Sequence, residues 1–474
     1  MHKRLLLSVL LSLGFVASQA QNLVSITPLD TITKVSLNFL ANGLAKYDVA
    51  SYKITYQTPD VDGNTSIASG LMAVPLVACD SIALTLYCHG TVLERNDVPS
   101  RNNLESILGK IGAARGYVVA MPDYLGLGDS PGLHPYLHAE TQATASLDLM
   151  RAIRQALADS ISGYPLNSEV FLTGYSQGGH AAMATAKYIQ DENLESEFNV
   201  VATAPASGPY NLAGSQSTVF LYDQPYSNPG YVVYLLLGMN EAYGQSLFNS
   251  PSEILKAPYD VLIPPYFNGN YPMDSVNSKL PANVSGYIED SILQAFIADS
   301  VNQTYWLWNI LNENTNYDWR PDMPVRMYYC TADEQVNFQN ALDAEAAMLA
   351  NGATDVKAFS KGPFNHGGCV APAVEGAVRF FDSLTTSCTA FVGLDAWAAN
   401  SYELYPNPFR DEIRIEGING EASIRMLDIN GRLVYQKEVF GSTRLKVAHL
   451  PKGIYLVEIV EASRVSRMRV LKEF

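Results

Sequence analysis

Two hydrophobic periods alternate along this chain from about residue 47 onward. Residues 52–56 and 66–74 read as strands on either side of Asp62-Gly63-Asn64, a turn sequence suited to a hairpin. Residues 81–88 and 116–122 are mostly apolar runs of buried-strand length, the first leading into His89-Gly90 and the second into Asp123. From 139 to 158 the spacing becomes helical, with Leu147, Leu149, Ile153 and Leu157 among the apolar positions. A strand at 169–173 runs straight into Gly174-Tyr175-Ser176, and an alanine-rich helix follows. Strands at 199–204, 325–329 and 355–359 complete the set, with further helices at about 338–350 and 371–384. Strands alternating with helices of this length imply parallel strands joined by crossovers. The predicted fold is therefore α/β, with a mixed, mostly parallel sheet whose antiparallel edge is the opening hairpin.

Two segments break this rhythm. Residues 207–320 hold 19 aromatic side chains, three of the four tryptophans, many prolines and short helical pieces. Inside an α/β chain such a stretch reads as an inserted cap, its aromatics shared between a small core of its own and the pocket beneath. After residue 386 small residues take over, and beyond Tyr405-Pro406-Asn407-Pro408-Phe409 the period is two. Ile413 and Ile415, then 423–427, a turn at 428–431, and strands at 433–439, 454–459 and 465–471 predict a small β-sandwich without helix.

The N-terminus differs again. Lys3 and Arg4 precede an apolar run over 5–16 and then Ala17-Ser18-Gln19-Ala20. A basic head, a short apolar middle and small residues before a cleavage point predict a secretory signal peptide at 1–20. The run is too short to span a bilayer comfortably. The expected organisation is thus signal peptide 1–20, catalytic domain 21–386 with the cap at about 207–320, linker 387–400, and β domain 401–474.

Composition narrows the partners. The formal charge is −16, but residues 401–474 carry 12 basic and 10 acidic side chains, while 21–400 carry 17 basic against 37 acidic. So acidic a surface repels phosphate backbones and anionic headgroups, which argues against nucleic acid as a partner. Of the five cysteines, some should pair in an oxidising compartment, and the odd count leaves at least one free or intermolecular. None stands in CxxC spacing. His134 and His138 are four apart, but Pro135 lies between them and no third ligand is evident, so neither a metal nor a cofactor is predicted.

The chemistry concentrates at Gly174-Tyr175-Ser176-Gln177-Gly178, a G-x-S-x-G pattern placed between a strand and a small-residue helix. There the glycines allow the sharp turn that presents a serine hydroxyl at the top of an α/β-hydrolase sheet. A serine needs a base to take its proton, and the base needs an orienting carboxylate. In this fold the chain order is Ser, Asp or Glu, then His. Downstream of Ser176 lie only His180, His366 and His449. His180 is one turn along the elbow helix and His449 belongs to the β domain, which leaves His366, after the last strand. Asp333, in the loop following 325–329, is the expected acid, with Glu334 as the second choice; Asp123 and Asp129 come too early. Cys330 and Cys369 follow the neighbouring strand ends, which suggests a disulfide joining the acid and base loops. For the oxyanion, the backbone N–H groups of Gln177 and Thr91 are the expected donors.

His89-Gly90-Thr91, Asp123-Tyr124-Leu125-Gly126-Leu127-Gly128, His134-Pro135-Tyr136 and Gly174-Tyr175-Ser176-Gln177-Gly178-Gly179 together resemble the secretory lipase family. So does the stretch from Leu311-Asn312-Glu313-Asn314 through Trp319, Pro321, Pro324 and Asp333. The resemblance spans about residues 40–385 and implies a helical lid and hydrolysis of carboxylic esters, small or lipid, with Ser176, Asp333 and His366 at the triad positions. Asn337, where related acid loops often carry proline, departs from it. The tail, through Tyr405-Pro406-Asn407-Pro408-Phe409, Asp428-Ile429-Asn430-Gly431-Arg432 and Gly453-Ile454-Tyr455, resembles the C-terminal sorting domain of the type IX secretion system. That implies engagement with outer-membrane secretion machinery and a secreted or cell-surface location. Peptide-bond cleavage by the same residues and a non-catalytic adhesion role are the competing readings.

Overall fold

The computed structural model describes residues 22–41, 43–218, 223–388, 402–418, 420–428, 431–461 and 464–472. The predicted signal peptide, most of the linker and the turn residues 429 and 430 lie outside them. The larger unit is built on a nine-stranded sheet. Its strands are β1 (Leu23–Ile32), β2 (Val49–Pro59), β3 (Thr65–Pro75), β4 (Ile82–Cys88), β5 (Val118–Pro122), β6 (Leu166–Tyr175), β7 (Asn199–Ala206), β8 (Val325–Tyr329) and β9 (Val356–Ser360), in the order β1-β2-β3-β5-β4-β6-β7-β8-β9. From β5 across to β9 every pairing is parallel, and β1, β2 and β3 form an antiparallel edge.

Helices cover both faces, as the apolar character of the central strands requires. All seven residues of β4 and all five of β5 are buried. One face packs under α3 (Ala139–Asp159) and α4 (Gln177–Asp191), with Leu147, Ile153 and Met183 meeting Leu84, Leu86 and Leu172. The other holds α2 (Ser106–Ala113), with Ile111 and Ala113 against Val119, Phe171 and Tyr328. In chain order the remaining helices named below are α1 (Lys34–Ala41), α5 (Pro229–Ala242), α6 (Asp290–Ala298), α7 (Trp306–Glu313), α8 (Gln339–Ala350) and α9 (His366–Asp382).

Three elements lie outside the sequence expectation. β1 contains Pro28 and is only partly covered, as befits an edge strand with weak alternation. α1 follows it directly. α2 carries Gly109 and Gly112, poor helix formers, but a Cβ at Gly109 would come within 2.4 Å of the Met121 sulfur, so close packing on β5 dictates the glycine. α9 also begins earlier than the 371 expected. Pro372 and the pair Gly367-Gly368 resemble a break in sequence, yet Asn365 caps the helix by accepting the Gly368 N–H at 2.9 Å, and Pro372 sits inside it.

Between β7 and β8 the chain is helical, chiefly α5, α6 and α7, around a separate core that includes Val233, Leu236, Ile288 and Phe296. Trp308 stacks on Phe296 at 3.9 Å and donates its Nε1–H to the Phe296 carbonyl at 2.8 Å. The smaller unit has two antiparallel sheets: Glu403–Tyr405, Glu412–Glu416 and Thr443–Lys446 in one, Glu421–Leu427, Leu433–Phe440, Gly453–Glu461 and Arg464–Lys472 in the other. Ile413, Ile415, Ile424, Met426, Leu445, Val457 and Ile459 form its core. The short strands at 403–405 and 443–446 carry too few residues to show a period. Among the described residues no helix is long and apolar enough to cross a membrane.

Candidate active site

Ser176 stands between the end of β6 and the start of α4, at φ 59° and ψ −122°. A side-chain-bearing residue rarely adopts that backbone, and such a residue costs on the order of 1–3 kcal/mol that the surroundings must offset. The offset is visible. The Ser176 N–H donates to the Ala206 carbonyl on β7 at 3.0 Å, and its own carbonyl accepts from Gly179 and His180 at 2.9 and 3.2 Å. The flanking glycines are sterically required: a Cβ at Gly174 would lie 2.2 Å from the Gly178 carbonyl oxygen, and one at Gly178 1.9 Å from that of Cys88.

Asp333 follows β8 and His366 opens α9. Both carboxylate oxygens of Asp333 lie near His366 Nδ1, at 2.9 and 2.8 Å. The side chains are 1% and 9% exposed, so water competes little for this bond. Oδ1 also accepts the N–H groups of Gln335 and Val336 at 3.0 and 2.9 Å, which fixes the carboxylate on its own loop. A carboxylate at Nδ1 keeps the imidazole proton there and leaves Nε2 as the basic nitrogen.

Glu334 does not compete for the imidazole. Its Oε2 instead accepts the His366 backbone N–H at 3.0 Å, one of the unpaired donors of the first helical turn. The Tyr175 hydroxyl donates to the His366 carbonyl at 2.6 Å and the two rings lie 5.1 Å apart, so the residue before Ser176 also holds His366. A Cys330–Cys369 disulfide ties the end of β8 to the first turn of α9. The second disulfide is Cys79–Cys388, and Cys88 is a free buried thiol whose pKa burial pushes up to about 12.

Ser176 and His366 line a cavity of about 640 Å³ with Gly90, Thr91, Glu105 and Tyr231. Leu104, Ile107, Leu108, Ile111, Val370 and Val374 make much of its lining apolar, while Asp97, Glu105 and Glu375 bring carboxylates and no lysine or arginine lines it. A second cavity of about 50 Å³, lined by Leu137, Leu212, Tyr226 and Val232 among others, also reaches Ser176 and Gln177. Gln177 is the first residue of α4, so its N–H has no acceptor within the helix. Thr91 lies on the loop after β4.

Glu105 escaped the sequence analysis. Its Oε1 accepts the Gly90 N–H at 2.7 Å and the Tyr87 hydroxyl at 3.2 Å, bracing the loop that carries Thr91. Desolvation raises its pKa, offset in part by His89 and the Gly90 bond. No sequence motif marks it, because its partners come from β4 and a loop 15 residues away.

His180, His138 and His89 have polar partners in the fold. His180 bridges Gln142 and the Asn314 carbonyl at 3.0 and 2.8 Å. His138 caps α3, accepting from Thr141. His89 reaches the carbonyls of Gly90 and Asp123 at 2.7 and 3.3 Å. Among the described residues there is no cluster of three or more His, Cys, Asp or Glu that could hold a metal. Asp123 accepts from Ser69 and from the Ser100 N–H, and Asp129 pairs with Lys53 and Arg101.

Comparison with known proteins agrees with this architecture. Residues 103–244 match the model of the secretory lipase family, and residues 403–473 match the secretion system C-terminal sorting domain. The larger unit has the α/β-hydrolase fold, with a segment similar to secretory lipases, and the tail is similar to the sorting domain. A Legionella pneumophila protein described as a hydrolase has a crystal structure that superposes with a TM-score of 0.70 at 29% identity, covering 77% of this chain and 98% of that one. The rice cell wall degrading esterase LipA from Xanthomonas oryzae gives 0.68 at 29% identity, with the same coverage. Candida antarctica lipase A shares the fold, at a TM-score of 0.56 and 19% identity over 77% of this chain and 83% of that one. No match was found among curated proteins. Family and neighbours together make the α/β unit a hydrolase of the ester-cleaving kind, and the sorting domain marks the chain for export to the cell surface or beyond it.

Proposed function

We propose that this protein is an exported serine esterase, with Ser176 as nucleophile, His366 as general base and acid, and Asp333 as the carboxylate that orients it. The catalytic domain in this reading is residues 21–386, capped by the insertion at about 207–320 and delivered by the signal peptide at 1–20 and the sorting domain at 401–474. The observation that carries it is the Asp333 carboxylate on His366 Nδ1, with His366 and the strained Ser176 lining one cavity.

Ser176 Oγ attacks the ester carbonyl carbon while His366 Nε2 takes its proton. The N–H groups of Gln177 and Thr91 bind the resulting oxyanion, each donor contributing roughly 2.7–4 kcal/mol to transition-state stabilisation. His366 then returns the proton to the departing alkoxide, and water, activated by the same imidazole, releases the acid and restores Ser176. Asp333 stabilises the imidazolium in both halves.

The cavities favour an ester with one bulky and one small apolar substituent, since cavities of about 640 Å³ and about 50 Å³ both reach Ser176. Three carboxylates with no basic side chain in the lining disfavour anionic substituents. The likeness to a rice cell wall degrading esterase adds esters borne on plant cell wall polymers to the candidates.

The test is a panel of p-nitrophenyl esters from acetate to palmitate, an anionic hemisuccinate ester, and matched anilides. Turnover of neutral esters with little of hemisuccinate or anilide supports the proposal. Faster cleavage of anilides would make the enzyme a peptidase, and no turnover at all would favour a binding role.

A further inference from the structure

The His134-Pro135-Tyr136 segment touches the side chains of both residues whose amides are the proposed oxyanion donors. His134 Nδ1 is 2.7 Å from the Leu125 carbonyl, which can only accept, so the ring proton must be on Nδ1. Nε2 is then an acceptor, and it takes a hydrogen from the Gln177 side-chain amide at 2.6 Å. His134 is 1% exposed, and burial lowers its pKa to about 3, so it stays neutral wherever the enzyme would work. Two residues on, the Tyr136 hydroxyl meets Thr91 Oγ1 at 2.9 Å.

These bonds run from a helix to a loop. Gln177 begins a fifteen-residue helix seated on the sheet, whereas Thr91 sits in a loop with no ladder to hold it. The cap adds a second brace. Tyr234 of α5 stacks on Tyr136 with centroids 4.6 Å apart and planes 2° from parallel, and its hydroxyl donates to the Val92 carbonyl at 3.2 Å. Tyr124 stacks on the His134 ring, with centroids 5.6 Å apart.

We propose that His134 and Tyr136 are positioning residues that set the Thr91 amide relative to the Gln177 amide, with Tyr234 of the cap completing the clamp. This rests on the esterase reading above and adds a role for a segment that reading leaves idle. Because the oxyanion is charged only in the transition state, loss of the clamp lowers kcat and leaves ground-state binding nearly unchanged.

The experiment is a double-mutant cycle in the full chain between Tyr136→Phe and Thr91→Val, with kcat and KM measured on one good ester and thermal midpoints recorded beside them. Tyr136→Phe should lower kcat by about 10- to 100-fold, the scale of a small misplacement, with KM within about twofold. The double variant should fall no further than Thr91→Val alone, because both remove the same bond. A merely structural tyrosine would give additive losses, or losses in KM, and either overturns the clamp while leaving the esterase reading in place. Wild type inert to every ester would remove both. Should Tyr136→Phe fail to fold, Gln177→Met severs the bond to His134 without touching the ring stack, and the same cycle against Thr91→Val decides between coupling and additivity.

Discussion

At the scale of single residues, the candidate site is a set of conflicts resolved by neighbours. Ser176 adopts a backbone conformation that its Cβ disfavours, and the bond to Ala206 with the glycines at 174 and 178 makes room for it. Asp333 is buried but accepts from two amides and an imidazole, so its negative charge is well solvated by the protein. Asp333→Asn should therefore fold, keep the loop bonds through its carbonyl oxygen, and present the wrong partner to Nδ1. Its kcat on a good ester is expected to fall by roughly 10⁴-fold with a thermal midpoint near wild type; an unchanged kcat would show that the carboxylate plays no part. These residues were legible because motif and chain order leave few choices. The pattern around Ser176 is local, and elimination left one histidine. Glu105 and the His134–Tyr136 clamp were not legible, since their meaning depends on partners 15 to 45 residues away.

At the scale of elements, the loop after β8 and the start of α9 matter most, because they carry the proposed acid and base. Three devices join them: the Asp333–His366 bond, the Glu334 bond to the His366 N–H, and the Cys330–Cys369 disulfide. The disulfide closes a segment with a sequence separation of 39, for which chain entropy gives roughly 3–4 kcal/mol. Replacing both cysteines by serine should lower urea stability by up to that amount and also reduce kcat, as the acid loop and the start of α9 lose their tether. Equal urea midpoints for the two proteins would mean the bond is redundant. The extent of α9 shows where sequence pattern misleads. Gly367, Gly368 and Pro372 read as breakers, but a helix cap and tertiary packing override local preference. In α2 the same override runs through Gly109, which the packing on Met121 demands.

At the scale of the whole molecule, the change of period along the chain carried the sheet, the helical insertion between β7 and β8 and the small β unit, whereas the edge elements β1 and α1 had too little periodicity to be read. Buried histidines also make stability depend on pH. Burial lowers His134 to about 3 and His180 and His138 to about 4, against an unfolded value of about 6.5. Below pH of about 6.5 the unfolded chain takes up protons that the folded chain refuses. This contribution is full above that pH and is lost as pH falls toward 4. Asp123 and Glu105, raised by burial, act in the opposite sense and weaken the trend. The net expectation is a fall on the order of a few kcal/mol between pH 7 and 4.5, read from urea midpoints. A flat profile would contradict it.

The central claim is that Ser176 is the nucleophile of an ester hydrolase. The direct measurement treats the full chain and Ser176→Ala with a fluorophosphonate probe, locates the adduct by peptide mass mapping, and follows ester turnover in the same samples. Wild type should carry one adduct, on Ser176, and lose turnover as it forms, while Ser176→Ala should neither label nor turn over ester. An adduct on another serine, or a Ser176→Ala protein that still cleaves ester at the wild-type rate, would contradict the assignment.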